Sequence, residues 1–504
     1  MGKQTIEQRV AKIANDFLKN PHETDIRARW QKVVEDGVAD EVIAALGPMP
    51  TATLDDIPLS DAVQYAGRDA DATWRLKPVL WKRILEMGLD GVYAMDMACV
   101  PMFERMQANG MRVNTQRLWE LSSVFEGKMH ACVAALTKWT HNKEFNPGSG
   151  DQVADFLFRH LHLTSRRMTK GGKRESTDDK TLESLRRVHP AVPHVLDYRK
   201  FAKLKTGFCD TLPAFADEHG RIHGTFKITR VSSGRLSVTD PALLTIPVRD
   251  EDGKLIRTAF VPRDGFVMGS WDLDQIELRE LAHQTQDPRM LKLFREGVDI
   301  HAQSGAWMFG VKLADVTPTQ RRAAKTINFA IVYGITPVGL ADSMAAGGAE
   351  GWTEDRCEEA QSEWHKIYTR MKPFMMQVHA EVRRNEYVRD RWGRIRYLPG
   401  IHSEIPRVRA EAERQAVSFK ISASAQGTMK HAMAAIWQWW RENQLEGVCE
   451  PLLQIHDELL WELRPHMQEF VGQDIKAMME YTTTMSVPIK AKFGFGENWG
   501  VLKD

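Results

Sequence analysis

An apolar run, Phe266-Val267-Met268-Gly269-Ser270-Trp271, stops at Asp272, and the residues after it follow a helical rather than an alternating pattern. A short run bounded in this way suits a buried strand. It puts the Asp272 carboxylate at a strand end, beside backbone that the sheet has released. A second stretch, Pro451 to Trp461, is apolar at both ends and polar at its centre, His456-Asp457-Glu458, as a hairpin with Asp457 at its tip would be. Taken alone, either aspartate reads as a surface turn residue, because Asp fits turns so readily. If the fold joins them, the two carboxylates repel unless cations lie between them. Oxygen donors of this kind suit Mg²⁺, with waters and substrate phosphates completing the shell. Two such ions about 3.5–4 Å apart would activate a hydroxyl and stabilise a leaving pyrophosphate.

A third segment, Arg321 to Gly334, has the most readable geometry. Arg321, Lys325, Phe329 and Tyr333 are each four residues apart and so line one face of a helix. That face is roughly 18 Å long at about 1.5 Å per residue. Two cations at one end suit a triphosphate, and two aromatic rings at the other suit a sugar and base. A basic amphipathic helix with its rings in the core fits the same spacing. Gly334 is placed to close the helix.

Around these segments, residues 1 to about 85 read as helices, broken at Pro48-Met49-Pro50-Thr51. Helical patterns dominate from Asp96 to about Phe215, and β-like pieces follow at Arg221–Ile228 and Leu255–Val261. A mostly helical stretch runs from Leu273 to about Arg384, before strand-like Tyr387–Asp390 and a turn at Trp392-Gly393. The five cysteines are isolated, without zinc-finger spacing, which favours a reducing compartment. No apolar run approaches the roughly 18 residues of a membrane span, so a cytoplasmic protein with no membrane partner is expected. The formal net charge is only +1, so any affinity for nucleic acid has to come from local charge. Arg166, Arg167, Lys170, Lys173 and Arg174 form one such basic loop, either solvated or touching a phosphate backbone. Gly172-Lys173 does not complete a P-loop, because Arg167 and Arg174 stand where Gly and Ser or Thr are needed.

Together, the three segments resemble motifs A, B and C of the family A, polymerase-I-like DNA polymerases. The resemblance extends through Ser233-Gly234-Arg235-Leu236-Ser237, Asp299-Ile300-His301, Tyr397-Leu398-Pro399, Glu413-Arg414-Gln415-Ala416 and Gly496-Glu497-Asn498-Trp499, in family order, over roughly residues 90 to 504. It implies an α+β right-hand fold with an antiparallel palm sheet and largely helical fingers and thumb. The expected divisions are a small helical N-terminal segment (1–86), thumb and palm-entry helices (87–225), palm with motif A (226–285), fingers with motif B (286–394) and palm with motif C (395–504).

The resemblance implies template-directed extension of a primer 3′ end with deoxynucleoside triphosphates, using two Mg²⁺ ions with Mn²⁺ as a substitute. The metal-binding aspartates match Asp272 and Asp457, with Glu458 in support. Arg321, Lys325 and His301 match triphosphate contacts, and Lys325 also matches a proton donor to pyrophosphate. Glu277 matches the gate that crowds a ribose 2′-hydroxyl, with Tyr333 packing beside it. Phe329 matches the ring by the sugar, where Phe implies discrimination against sugars lacking the 3′-hydroxyl. Gln275 falls among the substrate-binding positions. Arg235, His456 and Gln454 match contacts to the primer terminus and minor groove, and Arg414 matches a template contact. The helix bearing Lys325 is expected to swing inward over a paired nucleotide.

Some positions depart from the family pattern. Asp274 stands where Ser is usual, adding a carboxylate near the metal ligands, and Ala330 stands where Gly is common. Ala242-Leu243-Leu244-Thr245 replaces Asn-x-Gln-Asn. A gapless match after Glu413-Arg414 puts Ser418 and Ser422 where Asn and Gln make minor-groove and template contacts, with Gln426-Gly427-Thr428 four residues late. Fewer such contacts imply weaker checking of the new pair or an altered base preference.

Tyr65-Ala66-Gly67-Arg68-Asp69-Ala70-Asp71 resembles the third motif of the family's proofreading exonuclease, with Tyr65 orienting water and Asp69 binding metal; a charged helix without function fits as well. The other two motifs have no room upstream, so no proofreading is expected from this chain alone. A vestigial domain, a truncation or a separate exonuclease subunit would each explain the remnant. A processivity factor is a further possible partner, and a bacteriophage or other mobile replicon is compatible with so compact a polymerase. A single-subunit RNA polymerase and a non-catalytic DNA-binding replisome component are the competing readings. Glu277 weighs against the first, and the intact Asp272, Lys325 and Asp457 against the second.

Overall fold

The computed structural model describes residues 59–502 apart from 166, 170, 173, 249, 347, 348 and 350. The chain divides into two units, residues 1–87 and 88–504. In the first, the described residues form one helix, Leu59–Glu86, which carries Tyr65 and Asp69. The break expected at Pro48–Thr51 lies outside the described residues, as do Arg166, Lys170 and Lys173 of the basic loop. The loop's Arg167 and Arg174 pair with Asp178 and Asp151.

In the second unit a four-stranded antiparallel sheet is built from β1 (Val267–Leu273), β2 (Cys449–Ile455), β3 (Glu458–Leu463) and β4 (Ala491–Gly496), in the order β4-β1-β3-β2. Both strands predicted from apolar runs are therefore central or paired elements of one sheet. Trp271 shows why β1 is so apolar. It is fully buried, lies against Phe493 and Phe495, and donates from its indole nitrogen to the Gly472 carbonyl at 3.0 Å. Burying a ring of this size contributes about 2–3 kcal/mol. Gly472 permits the close approach, since a Cβ there would meet the Phe493 ring at 2.7 Å.

Between β1 and residue 385 the chain is helical, as its periodicity predicts, and Tyr387–Arg389 pairs with Ile395–Tyr397 across the Trp392-Gly393 turn. Arg221–Ile222 and Thr225–Lys227 are short strands. Leu255–Val261 is not one. The Asp250 side chain caps the amide of Gly253, and Glu251–Arg257 winds into a short helix, leaving only a bridge from Phe260 to Val113. Local capping outweighs the β-like composition there.

Among the described residues the buried apolar side chains gather into three clusters. The largest lies around the sheet, and a second joins the helices between Leu278 and Val382 to the first half of the long Pro406–Glu442 helix. All five cysteines are buried and unpaired in disulfides. No helix among the described residues is long and apolar enough to cross a membrane.

Candidate active site

Strands β1 and β3 are neighbours, with Asp272 opposite Glu458, and the Leu273 amide donates to the Asp457 carbonyl at 3.0 Å. The sheet thus joins the two aspartates that lie far apart in sequence. A two-residue turn, His456-Asp457, links Ile455 to Glu458, and His456 adopts φ 56°. That left-handed conformation is uncommon for a side chain larger than Gly, and such backbone strain concentrates at functional sites. Gln454 lies beneath the turn, fully buried, with its amide donating to the His456 carbonyl. It supports the turn from below and does not line the cleft. Glu458 is also buried, where it accepts from the Ser270 hydroxyl at 2.6 Å.

Asp272 and Asp457 are only partly buried, and their oxygens suit a hard cation. Among the described residues no group of three His, Cys, Asp or Glu forms a metal cage. Asp274 does not add to that charge as its position suggested. Its carboxylate is paired with the buried Arg279 guanidinium at 2.9 Å, which itself donates to the Pro488 carbonyl.

A cleft beside the turn is lined by Arg235, Gln275, Ile276, Glu277, Phe329, Ser422, Ala425, Gln426, His456 and Asp457. At its edge Glu277 accepts from Arg235 at 2.5 Å through one oxygen and from the Tyr333 hydroxyl through the other. Burial, reinforced by the Glu277 charge, raises the Tyr333 pKa, so the phenol stays a donor. The Phe329 and Tyr333 rings stack 6.4 Å apart.

The helix that carries them, Pro318–Val332, starts with a Thr317/Gln320 capping box and Pro318 in its first turn. It ends as the sequence suggests: Gly334 has φ 66°, and Ile335 donates back to the Ala330 carbonyl at 2.8 Å. A Cβ at Gly334 would also meet the Arg414 side chain at 2.8 Å. Arg321 and Lys325 are exposed, Phe329 and Tyr333 are half-buried, and the intervening Ala324, Ile327 and Ile331 are in the core. Arg321 is held by Asp299 at 2.7 Å, and the same Asp299 caps the helix that begins at Ile300.

His301 follows that cap and is fully buried, with its ring against Phe329 at 5.7 Å, so it does not line the cleft. Arg414 lies elsewhere too, in a groove with Arg396, Tyr397 and Arg407.

The sequence pattern of DNA polymerase family A matches residues 115–501. The chain belongs to that family. DNA polymerase I of Treponema pallidum is 34% identical over 452 residues, covering 89% of this chain and 44% of that protein. The thermostable DNA polymerase I of Thermus aquaticus is 34% identical over 447 residues, covering 88% of this chain and 52% of that protein. The chain thus spans about half the length of these curated relatives. Among solved structures, the POL domain of Pol1 from M. smegmatis, in complex with DNA primer-template and dNTP, superposes with a TM-score of 0.80 at 29% identity. That match covers 90% of this chain and 80% of the other. The α+β right-hand fold expected from the motifs is the fold found.

The geometry of this family A chain adds residues that the motifs did not single out. Gln426 lines the cleft although it comes four residues after the position where a glutamine was sought, because the uninterrupted Pro406–Glu442 helix returns it to the Ser422 face after one turn. Its amide nitrogen is buried without a hydrogen-bond partner. The cleft therefore does contain a glutamine amide, beside the Ser422 that stands where a glutamine was sought. The seemingly late Gln426-Gly427-Thr428 was the available signal.

Burial also sets a pH dependence. Loss of solvation lowers the pKa of His301 to about 4, against the opposing pull of Asp299 and with Lys325 and Arg321 adding to the fall. His365 is lowered to about 4, again by burial first and then by Lys372. Both values lie below the ordinary 6.5, so the unfolded chain takes up protons that the fold refuses as pH drops from about 6.5 to about 4. The stability these neutral imidazoles contribute is complete above that window and lost within it. His301 alone is worth on the order of 3 kcal/mol. Urea melts at pH 7.5 and 5 should show the loss, and His301→Gln should reduce it, leaving the share of His365. An unchanged slope in that variant would refute the assignment.

Proposed function

We propose that this chain is a DNA-directed DNA polymerase that extends a primer 3′ end along a template with deoxynucleoside triphosphates. The observation that carries this reading is a cleft lined by His456, Asp457, Glu277 and Phe329, with the end of the Asp272 strand joined to the His456-Asp457 turn through the sheet. In this reading the sheet around the cleft is the palm, the helices from 286 to 394 are the fingers, and residues 87–225 supply the thumb and palm entry.

Asp272 and Asp457 would hold two Mg²⁺ ions, which when bound supply activation of the 3′-hydroxyl and neutralisation of charge on the departing pyrophosphate. The chain's own residues position the reactants. Arg321 and Lys325 reach the triphosphate from the exposed end of the Pro318–Val332 helix, which requires Arg321 to leave Asp299. Lys325 stands ready to give a proton to pyrophosphate. Phe329 and Tyr333 flank the sugar and base, and Glu277 crowds the 2′ position. Arg235, His456 and Gln426 face the primer terminus and the new pair, where a buried amide without a partner is suited to a base-edge acceptor. Arg414, with Arg396 and Arg407, faces the template.

The solved relative was captured with primer-template and dNTP, and those are the partners proposed for this chain. Primer extension with a divalent cation tests the function. Expected are template-dependent addition of deoxynucleotides and, when nucleotides are withheld, a labelled primer that keeps its length. Tight primer-template binding without extension under any metal would support a non-catalytic role instead, and a preference for ribonucleotides would support an RNA polymerase.

A further inference from the structure

The Trp364 indole nitrogen lies 2.8 Å from Asn328 Oδ1, and Asn328 Nδ2 lies 2.9 Å from His301 Nδ1. An indole N–H only donates, so it fixes which end of the Asn328 amide carries the oxygen. The opposite end is then an NH₂ group, which has no acceptor to offer. His301 Nδ1 must therefore accept from it, and a neutral imidazole that accepts at Nδ1 carries its proton on Nε2. His301 Nε2 is buried and has no hydrogen-bond partner among the described residues. All three side chains are at most 1% exposed, so water does not compete for any link of the relay.

We propose that Asn328 and Trp364 are positioning residues: they lock His301 in the Nε2–H tautomer and so hold a neutral N–H donor for an oxygen of the incoming triphosphate. This rests on the reading that the triphosphate lies along the Arg321–Lys325 end of the helix. Burial keeps the imidazole uncharged, with Asp299, Lys325, Arg321 and Asp274 as the charged groups that act on it. An N–H left buried without an acceptor is unfavourable, and a phosphate oxygen is a strong charged acceptor that relieves it. The Phe329 ring lies 5.7 Å from the imidazole and tilted by 42° to it, so the relay stands directly behind one of the rings that line the cleft. Ile300, Ile327 and Trp364 belong to one apolar cluster, which packs the three helices bearing the relay against one another.

The test combines a spectrum with a mutant cycle. In the full-length protein labelled with ¹⁵N-histidine, His301 should show a pyrrole-like Nε2 and a pyridine-like Nδ1. Trp364→Phe, which keeps a ring but removes the donor, and Asn328→Ala should each mix the tautomers. Each should raise the nucleotide KM roughly three- to tenfold with little change in kcat, the scale of one hydrogen bond. In a His301→Ala background, whose own KM is raised about tenfold, neither should add anything. A wild-type spectrum with the proton on Nδ1, or additive effects on KM, would overturn the relay. A His301→Ala enzyme with unchanged KM would instead overturn the placement of the triphosphate, and the proposal with it. Melting curves for Trp364→Phe distinguish loss of the donor from loss of the fold.

Discussion

Asp272→Asn and Asp457→Asn each lower the rate of primer extension by on the order of a thousandfold or more, while affinity for primer-template stays within a few-fold. The argument is electrostatic. Asparagine keeps the size and one acceptor oxygen of the carboxylate, so the sheet that joins β1 to β3 is preserved, including the hydrogen bond from the Leu273 amide to the Asp457 carbonyl. What the substitution removes is negative charge at a strand end. Neighbouring carboxylates do not replace it, since Asp274 is paired with Arg279 and Glu458 is buried against Ser270. The expected signature is a loss in kcat that raising Mg²⁺ recovers only in part. Single-turnover extension with gel-shift controls measures both quantities. A variant that extends at the wild-type rate would remove its aspartate from the site.

What the sequence made legible here, and what it did not, follows from the range of the interactions involved. The positions of Asp272 and of the His456-Asp457 turn at strand ends were readable because short apolar runs mark buried strands, although each aspartate alone reads as a turn residue. The Arg321, Lys325, Phe329, Tyr333 face was readable because a helix repeats every turn; along it the two cations are exposed and the two rings half-buried. Leu255–Val261 misled because its apolar character was read without the Asp250 cap upstream. Asp274 looked like an added charge near the metal ligands because Arg279 was not weighed as its partner, although the turn at Asp274-Gln275 and the first turn of the helix after it bring the two together. Gln454 shows a different limit. The resemblance placed it among the DNA contacts, but only the fold shows its side chain lying under the His456-Asp457 turn, where its amide donates to the His456 carbonyl. The Trp364, Asn328 and His301 relay was out of reach altogether, because it joins three separate helices through side-chain ends.

Glu277→Ala is expected to reduce the preference for deoxynucleotides over ribonucleotides by about a hundredfold, the range over which a shaped polar site separates substrates differing by one hydroxyl. Glu277 is held from two sides, by Arg235 on one oxygen and the Tyr333 hydroxyl on the other, and its side chain is 15% exposed. A carboxylate pinned in this way cannot swing aside to admit a 2′-hydroxyl, nor offer it a free acceptor oxygen. Removing it opens that space. The same change strands the Arg235 guanidinium and the Tyr333 phenol in a half-buried site, so deoxynucleotide efficiency should fall as well, by about tenfold. Tyr333→Phe separates the two effects: it leaves the gate in place but frees one of its oxygens, so discrimination should weaken by much less than in Glu277→Ala. Competing dCTP and CTP in one extension reaction gives the ratio of efficiencies directly. If that ratio keeps its wild-type value in Glu277→Ala, the gate lies elsewhere, and the Arg235–Glu277–Tyr333 network is an element of the fold rather than of selection.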